Sequence, residues 1–415
     1  MGRLVALLAV CAVSCAKHHD APPSPLQDAA AVAVAIDAPP VAVDAPPPRE
    51  PPTATKVVVG AHASCALLSD ATVRCWGGNT EGQLGDGSTR SSTTPVAPNV
   101  RGVKDLVLGD DFACALIDDT SVVCWGKIGY GKDHRLLAPA AAPGVREIVR
   151  IFAVGGAACG TAKAGALVCW GDVDPRGHVT TTGNAHAPTP VPGLDHVLLL
   201  SAHAAVSEAH VLSTWTDGGA PVASGFTNVS ELAERDVPCV LRDGGEVACV
   251  SDRALCGAPL ALAPAAAPPP PPAPIKKPKK GKKPARKLKA PPPPVVAKLA
   301  AYALPAKATH LAFDTGACVV TQKRLDCFDL AHACKVTRPW PAFVNIDDSD
   351  GVCARLANGT VRCGALGMPA APLITGVANA IAVSASATHG CALTKEHQVL
   401  CWEGTGPATA ISFGP

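Results

Sequence analysis

The stretch CALLSDATVRCWG, from Cys65 to Gly77, places two cysteines ten residues apart around a short polar segment. Apolar residues on both sides and turn-forming residues in the middle are typical of an antiparallel β-hairpin. Cys65 and Cys75 are equally distant from Asp70, so they face each other across the two strands, where opposite Cβ atoms lie about 4.5–5.5 Å apart. The spacing therefore predicts a disulfide that closes the hairpin and stabilises it by about 2–3 kcal/mol.

The same hairpin pattern recurs along the chain. Pairs with a spacing of ten occur at Cys114/Cys124, Cys159/Cys169, Cys239/Cys249, Cys353/Cys363 and Cys391/Cys401, and Cys318/Cys327 is one residue shorter. A segment from Leu198 keeps the rhythm and Trp215 but has no cysteine. Once these pairs are counted, Cys256 and Cys334 remain downstream of the signal-like N-terminus, and they either bond to each other or stay unpaired. The sequence thus predicts eight hairpins, most of them closed by a disulfide.

Zinc is the competing explanation for paired cysteines. Zinc ligands usually lie two to four residues apart and come in two such clusters. Here each pair has its own repeat, and Trp-Gly follows the second cysteine in several repeats instead of another ligand. We therefore expect no metal site, and no motif in the chain indicates a cofactor.

Composition narrows the class of protein. The chain has 415 residues with a formal net charge of +2, which gives no overall attraction to nucleic acid. Aromatic residues make up only 4%, so a base-stacking surface is not expected. Eighteen cysteines in regular pairs are typical of an oxidising compartment outside the cytoplasm.

The N-terminus, MGRLVALLAVCAVSC, indicates export. One basic residue precedes an apolar run from Leu4 to Val13 that is too short to span a bilayer. Small residues then lead to Cys15, which resembles the lipobox of bacterial lipoproteins. The resemblance implies cleavage before Cys15, a lipid on that cysteine, and a location in the cell envelope, on the periplasmic or the surface side of the outer membrane. An ordinary secretion signal is the alternative.

The repeats also resemble a known family. The run from Cys75 to Gly87, CWGGNTEGQLGDG, and Cys124-Trp125-Gly126 are similar to the regulator of chromosome condensation repeat, in the cysteine-containing form of secreted, alpha-tubulin-suppressor-like bacterial members. The resemblance implies an all-β propeller with disulfide-stapled hairpins, seven-bladed in most relatives, with six to eight blades possible here. We expect the closing segment around Ala410–Phe413 to complete the first blade.

These observations divide the chain into five parts. They are a lipoprotein-type signal peptide (1–15), an Ala/Pro-rich tether (16–55), a first set of propeller repeats (56–261), a Pro/Lys-rich basic insert (262–299) and a second set of repeats (300–415). Runs of alanine and proline cannot form a packed core, so both linkers are predicted to be extended.

Candidate chemical groups are few. The run GGNTEGQLGDGS lacks the Gly-Lys-Ser/Thr ending of a phosphate-binding loop, and Asp86 alone is weak support for calcium. His62, His203 and His389 lie in the loop before their hairpins, where the family resemblance implies backbone contacts. A channel enzyme would instead use them as acids or bases. We expect no catalytic residues.

The basic insert carries the strongest charge signal. Nine basic residues lie between positions 276 and 289: Lys276, Lys277, Lys279, Lys280, Lys282, Lys283, Arg286, Lys287 and Lys289. Without these nine, 27 basic residues stand against 34 acidic ones, a balance of about −7. The segment is interpreted either as an arm that binds polyanions or as a spacer extended by its own repulsion.

Together these features predict a monomeric, non-enzymatic, exported lipoprotein whose propeller binds an unidentified protein or envelope polymer. Membrane contact would come through the lipid anchor, and no specific nucleic acid is expected. Two alternatives are an envelope hydrolase or lyase with its site in the propeller channel, and a polyanion-binding tether that acts through the basic insert.

Overall fold

The computed structural model describes residues 51–128, 135–173, 179, 185–216, 219–234, 237–251, 258–260, 300–313, 317–320, 324–328, 340–341, 345–347, 352–364 and 372–413. The chain divides into two units, and all described residues belong to the second, Glu50–Pro415. The predictions for Cys15, for residues 16–50 of the tether, for Cys256 and Cys334 and for Lys276–Lys289 lie outside the described residues.

Every element in the described residues is a β-strand. Sheet one contains β1 (Ala54–Val59), β2 (Ala63–Leu68), β3 (Val73–Gly77) and β4 (Ser92–Val96), and sheet two contains β5 (Val103–Leu108), β6 (Phe112–Ile117), β7 (Val122–Lys127) and β8 (Arg135–Ala141). Sheet three contains β9 (Ile148–Val154), β10 (Ala157–Ala162), β11 (Ala166–Asp172) and β12 (Ala185–Asp195), and sheet four contains β13 (Val197–Leu200), β14 (Ala204–Ser207), β15 (Leu212–Thr214) and β16 (Val222–Ala223).

The second half of the chain repeats the arrangement. Sheet five contains β17 (Val229–Glu234), β18 (Pro238–Arg242), β19 (Glu246–Ser251), β20 (Ala258–Leu260) and β21 (Ala300–Lys307), and sheet six contains β22 (His310–Phe313), β23 (Ala317–Val320), β24 (Arg324–Phe328) and β25 (Trp340–Pro341). Sheet seven contains β26 (Asn345–Asp347), β27 (Val352–Arg355) and β28 (Val361–Gly364), and sheet eight contains β29 (Ala380–Ala385), β30 (His389–Thr394), β31 (Val399–Glu403) and β32 (Thr409–Ile411).

The sheets form a closed propeller. Each is an antiparallel meander in chain order, apart from sheet five, whose order is β17-β18-β19-β21-β20. First strands of neighbouring sheets contact one another (β1 with β5, β5 with β9, β13 with β17, β17 with β22, β22 with β26, β26 with β29), and β29 and β30 contact β1. The first strand of each sheet is therefore the innermost, and the eighth sheet packs against the first.

The described residues form eight sheets, the upper value of the expected range instead of the seven typical of the family. The additional sheet comes from the cysteine-free segment. Ala204 and Thr214, register partners ten residues apart, occupy the positions of the two cysteines, and Ala204 packs with Val206 and Leu212 in a buried cluster against sheet five. Apolar packing here replaces the covalent link, so the repeat without cysteines still forms a complete blade.

Disulfides close the hairpins as predicted. In the described residues bonds join Cys65–Cys75, Cys114–Cys124, Cys159–Cys169, Cys239–Cys249, Cys353–Cys363 and Cys391–Cys401, with Cα atoms 4.0–4.1 Å apart. Cys318 and Cys327 are register partners on β23 and β24, but their side chains are outside the described part. Disulfides in this number indicate folding in an oxidising, exported environment.

The disulfides also pack between sheets, which the sequence analysis did not predict. Cys65 and Cys75 share a buried cluster with Trp125 of sheet two. Cys114–Cys124 packs in the same way against Trp170, Cys159–Cys169 against Trp215, Cys353–Cys363 against Trp402, and Cys391 against Trp76. Adjacent residues on a strand point to opposite faces of the sheet. A Cys-Trp dipeptide therefore places its sulfur toward the following sheet and its indole toward the preceding one.

The prediction for the C-terminal strand was wrong. β32 pairs with β31 of its own sheet, and sheet one is completed by its own β4. The last sheet joins the first through side chains, including the Phe413 ring, whose centroid lies 6.1 Å from that of Trp76. A full set of strands in sheet one leaves no vacant edge for a returning strand.

Proline occupies the outer strands of several sheets. Pro95 lies in β4, Pro139 in β8, and Pro188, Pro190 and Pro192 lie in β12. Proline has no N–H to donate and is confined to edge positions in sheets. These edges are therefore poor templates for a strand added by another chain.

Candidate functional site

The connections between strands lie at two ends of the propeller. The connections from first to second strands and from third to fourth strands lie at one end, called here the loop face. Among the described residues it includes 60–62, 109–111, 155–156, 201–203 and 386–388, and the longer connection 78–91. The opposite end, the turn face, carries the hairpin turns between second and third strands.

Backbone hydrogen bonds occupy much of the turn face. The N–H of Val103, the first residue of β5, donates to the carbonyl of Ala71 in the preceding hairpin turn at 3.0 Å, and Ile148 donates to Thr120 at 2.9 Å. Val229 and Ala380 make the same contact with His210 and Gly359. The turns therefore serve to join each sheet to the next.

His203 is held by a buried carboxylate on the neighbouring sheet. Its Nδ1 lies 2.6 Å from Glu234 Oε1, and its backbone N–H donates to Glu234 Oε2 at 2.8 Å. Ser201 Oγ also donates to Glu234 Oε2, at 2.5 Å. The Glu234 side chain is only 3% exposed, so one carboxylate fixes the loop of sheet four against sheet five. This geometry fits the structural role expected for His203.

His389 forms the most enzyme-like arrangement in the described residues. Its Nε2 lies 3.1 Å from Ser64 Oγ, and its Nδ1 lies 2.9 Å from Ser386 Oγ. A hydroxyl beside a histidine that is oriented by a third group is the arrangement of an activated nucleophile. Ser64, however, is only 1% exposed and lies between sheets eight and one, where a substrate cannot reach it. The arrangement therefore acts as a hydrogen-bonded contact between the two sheets.

Burial holds the pKa of the His389 imidazole below its usual range, although a hydrogen bond to the Ala63 carbonyl and the charge of Glu403 act in the opposite direction. Burial disfavours the charged form of a histidine. His389 is the first residue of β30, one position beyond the loop position shared by His62 and His203, so it points into the seam. His62 itself is exposed on the loop face.

Charged pairs also join the first strands near the turn face. Lys56 Nζ lies 2.6 Å from Asp105 Oδ1 of sheet two. Glu231 Oε1 lies 2.6 Å from His310 Nδ1 of sheet six, and Glu231 Oε2 accepts the N–H of Leu311. A channel enzyme requires polar groups from several sheets that converge on one point. The described contacts instead run between neighbours around the ring.

The glycine-rich run of the first repeat is a structural turn. Asn79 is fully buried, its Nδ2 donates to the carbonyls of Ser88 and Arg90, and its Oδ1 accepts the N–H of Leu84 at 2.9 Å. Trp125 Nε1 of sheet two donates to the Gln83 carbonyl at 2.8 Å. The run therefore packs its centre against the next sheet, as a blade-edge turn should.

Asp86 is engaged within the same turn. Its Oδ1 accepts hydrogen bonds from the N–H and the hydroxyl of Ser88 and from the Asn79 amide. Partial burial raises the pKa of the Asp86 carboxyl, but these hydrogen bonds outweigh it and hold the pKa below its usual range. Within the described residues no group of three or more His, Cys, Asp or Glu side chains could hold a metal ion.

Two pairs of adjacent aspartates, Asp110–Asp111 and Asp118–Asp119, lie in bends and turns between strands. Asp119 Oδ1 accepts the N–H of Ser121, and hydrogen bonds from Ser121 hold the pKa of this carboxyl below its usual range. Asp111 accepts a hydrogen bond from Gln83 Nε2 at 3.0 Å. The Asp119 contact is the local bond expected of aspartate in turns, whereas the Asp111 contact joins sheet two to the loop of sheet one. Of the described residues, none belongs to a helix long and apolar enough to cross a membrane.

The fold and its contacts define a disulfide-stapled β-propeller, an architecture that suits a binding scaffold. Within it, two models of the regulator of chromosome condensation (RCC1) repeat match residues 54–83 and 70–116, which confirms the resemblance in the first two sheets. A comparison of the sequence with curated proteins finds no significant match. RCC1-repeat propellers are generally binding scaffolds and not enzymes.

Several solved structures are similar to this chain. Prp20p from Saccharomyces cerevisiae, described with its binding properties to Gsp1p and histones, is 15% identical with a TM-score of 0.41 over 86% of this chain and 76% of that chain. The CRINKLY WD40 ectodomain of the Arabidopsis thaliana receptor kinase ACR4 is 13% identical (TM-score 0.43, 85% and 98%). Human WBSCR16 is 18% identical (TM-score 0.39), with 48% of this chain covering 62% of that one, less than two thirds of its length.

Proposed function

We propose that this protein is a non-enzymatic, exported and lipid-anchored scaffold that binds a protein or a polymer of the cell envelope on its loop face. The observation that carries the proposal is that the polar groups at that end form hydrogen bonds between neighbouring sheets. His203, Glu234, Ser64 and His389 all make contacts between sheets. Groups that hold the ring together are not available for catalysis, whereas recognition requires only exposed loops of differing shape.

The difference between the two ends supports the choice of face. Hairpin turns on the turn face are short, and their backbone groups bond to the next sheet. The third-to-fourth-strand connections on the loop face differ in length from sheet to sheet, from residues 78–91 to residues 215–221. Loops that vary on a rigid scaffold are the common location of binding residues.

The proline-containing outer strands argue against one other mode of binding. A partner that adds a strand to a sheet edge needs a row of free N–H groups. Pro95, Pro139 and the three prolines of β12 interrupt such a row. A partner is therefore expected to contact loops and not a sheet edge.

Site-specific photocrosslinking in intact cells tests the face. A benzophenone side chain replaces His62 or Ala387, both exposed on the loop face, or Ala164 or Ala357, both exposed in turns. We expect a discrete crosslinked product from the loop-face positions and none from the turn-face positions. Equal products from both faces, or products from the turn face alone, contradict the proposed binding face.

A second experiment tests the lipid anchor. We expect the Cys15→Ser variant to lose both incorporation of labelled fatty acid and partition into the membrane fraction. Replacement of the neighbouring Ser14 by alanine is the matched control, since a small residue is retained there and Cys15 is unchanged. Absence of labelling in the wild type would leave an ordinary secreted protein as the better description, and unchanged labelling of Cys15→Ser would contradict Cys15 as the lipid attachment site.

A further inference from the structure

The seam between sheets eight and one differs from the other seams. Elsewhere the chain continues directly from one sheet to the next, and a turn carbonyl accepts the first N–H of the following sheet, as at Val103 and Ile148. At the closing seam the chain is not continuous and no strand is exchanged, because β32 pairs with β31. In the described residues, every hydrogen bond across this seam therefore has a side chain as at least one partner.

Histidines supply much of the polar contact across this seam. His389 Nε2 lies 3.1 Å from Ser64 Oγ, and His397 Nδ1 lies 3.1 Å from the Ala54 carbonyl. The Val59 N–H donates to Ser384 Oγ at the same distance. Beneath them lies an apolar layer that includes Trp76, Val57, Leu68 and Leu393. The closing seam thus combines a buried apolar layer with a half-buried titratable group beside it.

We propose that this seam is an acid-sensitive joint, at which a positive charge on His389 separates the eighth sheet from the first and opens the ring. The groups around the imidazole are Ser64 and the Ala63 carbonyl on β2, Ser386 and Thr388 in its own loop, Glu403 on β31 and His62 before β2. No carboxylate among the described residues forms an ion pair with it, and a charge on His62 opposes one on His389.

The direction of the effect follows from linkage. Burial keeps the folded-state pKa of His389 below the ordinary value of 6.5, so the intact seam favours the neutral ring. The stability that this provides is complete above about pH 6.5 and falls as the pH drops from there through the folded-state pKa. Each unit by which the folded-state pKa is lowered corresponds to about a tenfold change, in acid, of the equilibrium constant between the closed and the open ring. An open ring separates the loops 60–62 and 386–388, so a ligand that spans them is released in acid.

Hydrogen exchange measured by mass spectrometry tests the joint directly and needs no ligand. Protection factors, which are corrected for intrinsic exchange, are compared at pH 7.5 and pH 5.0 for peptides from β1 and β30. Peptides from β6 and β9, at the seam between sheets two and three, are the internal reference. We expect protection at β1 and β30 to be lower at pH 5.0 than at pH 7.5, while protection at β6 and β9 stays constant.

Two variants identify the group responsible. His389→Gln keeps hydrogen-bonding capacity without titration and should make protection at β1 and β30 independent of pH. His210→Gln is the matched control, because its Nδ1 also contacts a carbonyl of the next sheet, Val229 O at 2.8 Å, but at another seam. It should behave as the wild type does. A pH response that persists in His389→Gln overturns the proposal. If that variant does not fold, the wild type still decides, since equal loss at all seams or no loss at β1 and β30 also overturns it.

Discussion

The disulfides should stabilise the following sheet as well as their own hairpins, and Trp125 allows the two effects to be separated. It packs on Cys65–Cys75 across the seam, whereas Cys114–Cys124 of its own hairpin faces the other way, toward Trp170. Removing Cys65–Cys75 as a Cys→Ala pair should cost about 2–3 kcal/mol from loop closure alone. Trp125→Ala should cost about 3–5 kcal/mol, because a fully buried indole is removed and the Gln83 carbonyl loses its donor.

The coupling between the two changes is the informative quantity. Residues in contact show interaction energies of about 0.5–3 kcal/mol in double-mutant cycles, whereas residues without shared partners are nearly additive. We expect coupling of about 1–2 kcal/mol between Trp125→Ala and loss of Cys65–Cys75. For Trp125→Ala combined with loss of Cys114–Cys124 we expect nearly additive effects.

Guanidinium denaturation of the oxidised protein, followed by circular dichroism, measures both cycles. Single-step unfolding has to be verified for each variant, since a ring of repeated sheets can lose cooperativity. Equal coupling in the two cycles would show that the disulfide acts only through the chain and not through the seam. Additivity in the Cys65–Cys75 cycle would refute the packing argument.

Three further predictions concern the loop face. Asn79→Ala should lower stability by about 2–4 kcal/mol in the same denaturation assay, because the buried carbonyls of Ser88 and Arg90 lose their donor. Glu234→Gln should cost about 1–3 kcal/mol, and exchange protection should fall at β13 and β17 before it does elsewhere, since the carboxylate bonded to His203 is lost. Asp86→Asn should cost less than about 1 kcal/mol at pH 7, given the exposure of this side chain. Because the folded-state pKa of Asp86 lies below 3.8, the difference from wild type should persist above that pH and disappear in denaturation curves measured below the folded-state pKa.

The sequence was sufficient to predict the hairpins and their closure. A symmetric spacing about Asp70 requires Cys65 and Cys75 to be opposite partners, and the register shows that they are. The same reasoning succeeded for the structural role of the glycine-rich run, because that run lacks the residues of a phosphate loop. Local spacing carries information about contacts within a hairpin, where few geometries are possible.

Contacts between sheets were harder to predict. Nothing in local spacing indicates that His389 reaches Ser64, 325 residues earlier in the chain. The same limit explains the error at the C-terminus, where a short apolar segment fits either sheet one or sheet eight by pattern alone. Only the closed ring shows that the first sheet is already complete. The blade number was open for the same reason, since a hairpin without cysteines leaves no covalent signature.

One seam nevertheless left a signal in the sequence, because sheet four lacks the two cysteines and sheet five lacks the tryptophan that would pack on their disulfide. A disulfide in one sheet and an indole in the next form a single contact, although Cys239–Cys249 is present where Phe328 follows Cys327 in the next sheet. Sheet four has Ala204 and Thr214 at the positions of the two cysteines, and Val250 follows Cys249 in sheet five where tryptophan follows Cys75 in sheet one. Trp215 of sheet four is retained, because the disulfide that it covers, Cys159–Cys169, belongs to sheet three. In sheet four, the absence of the disulfide therefore coincides with the absence, in sheet five, of the tryptophan that would pack on it.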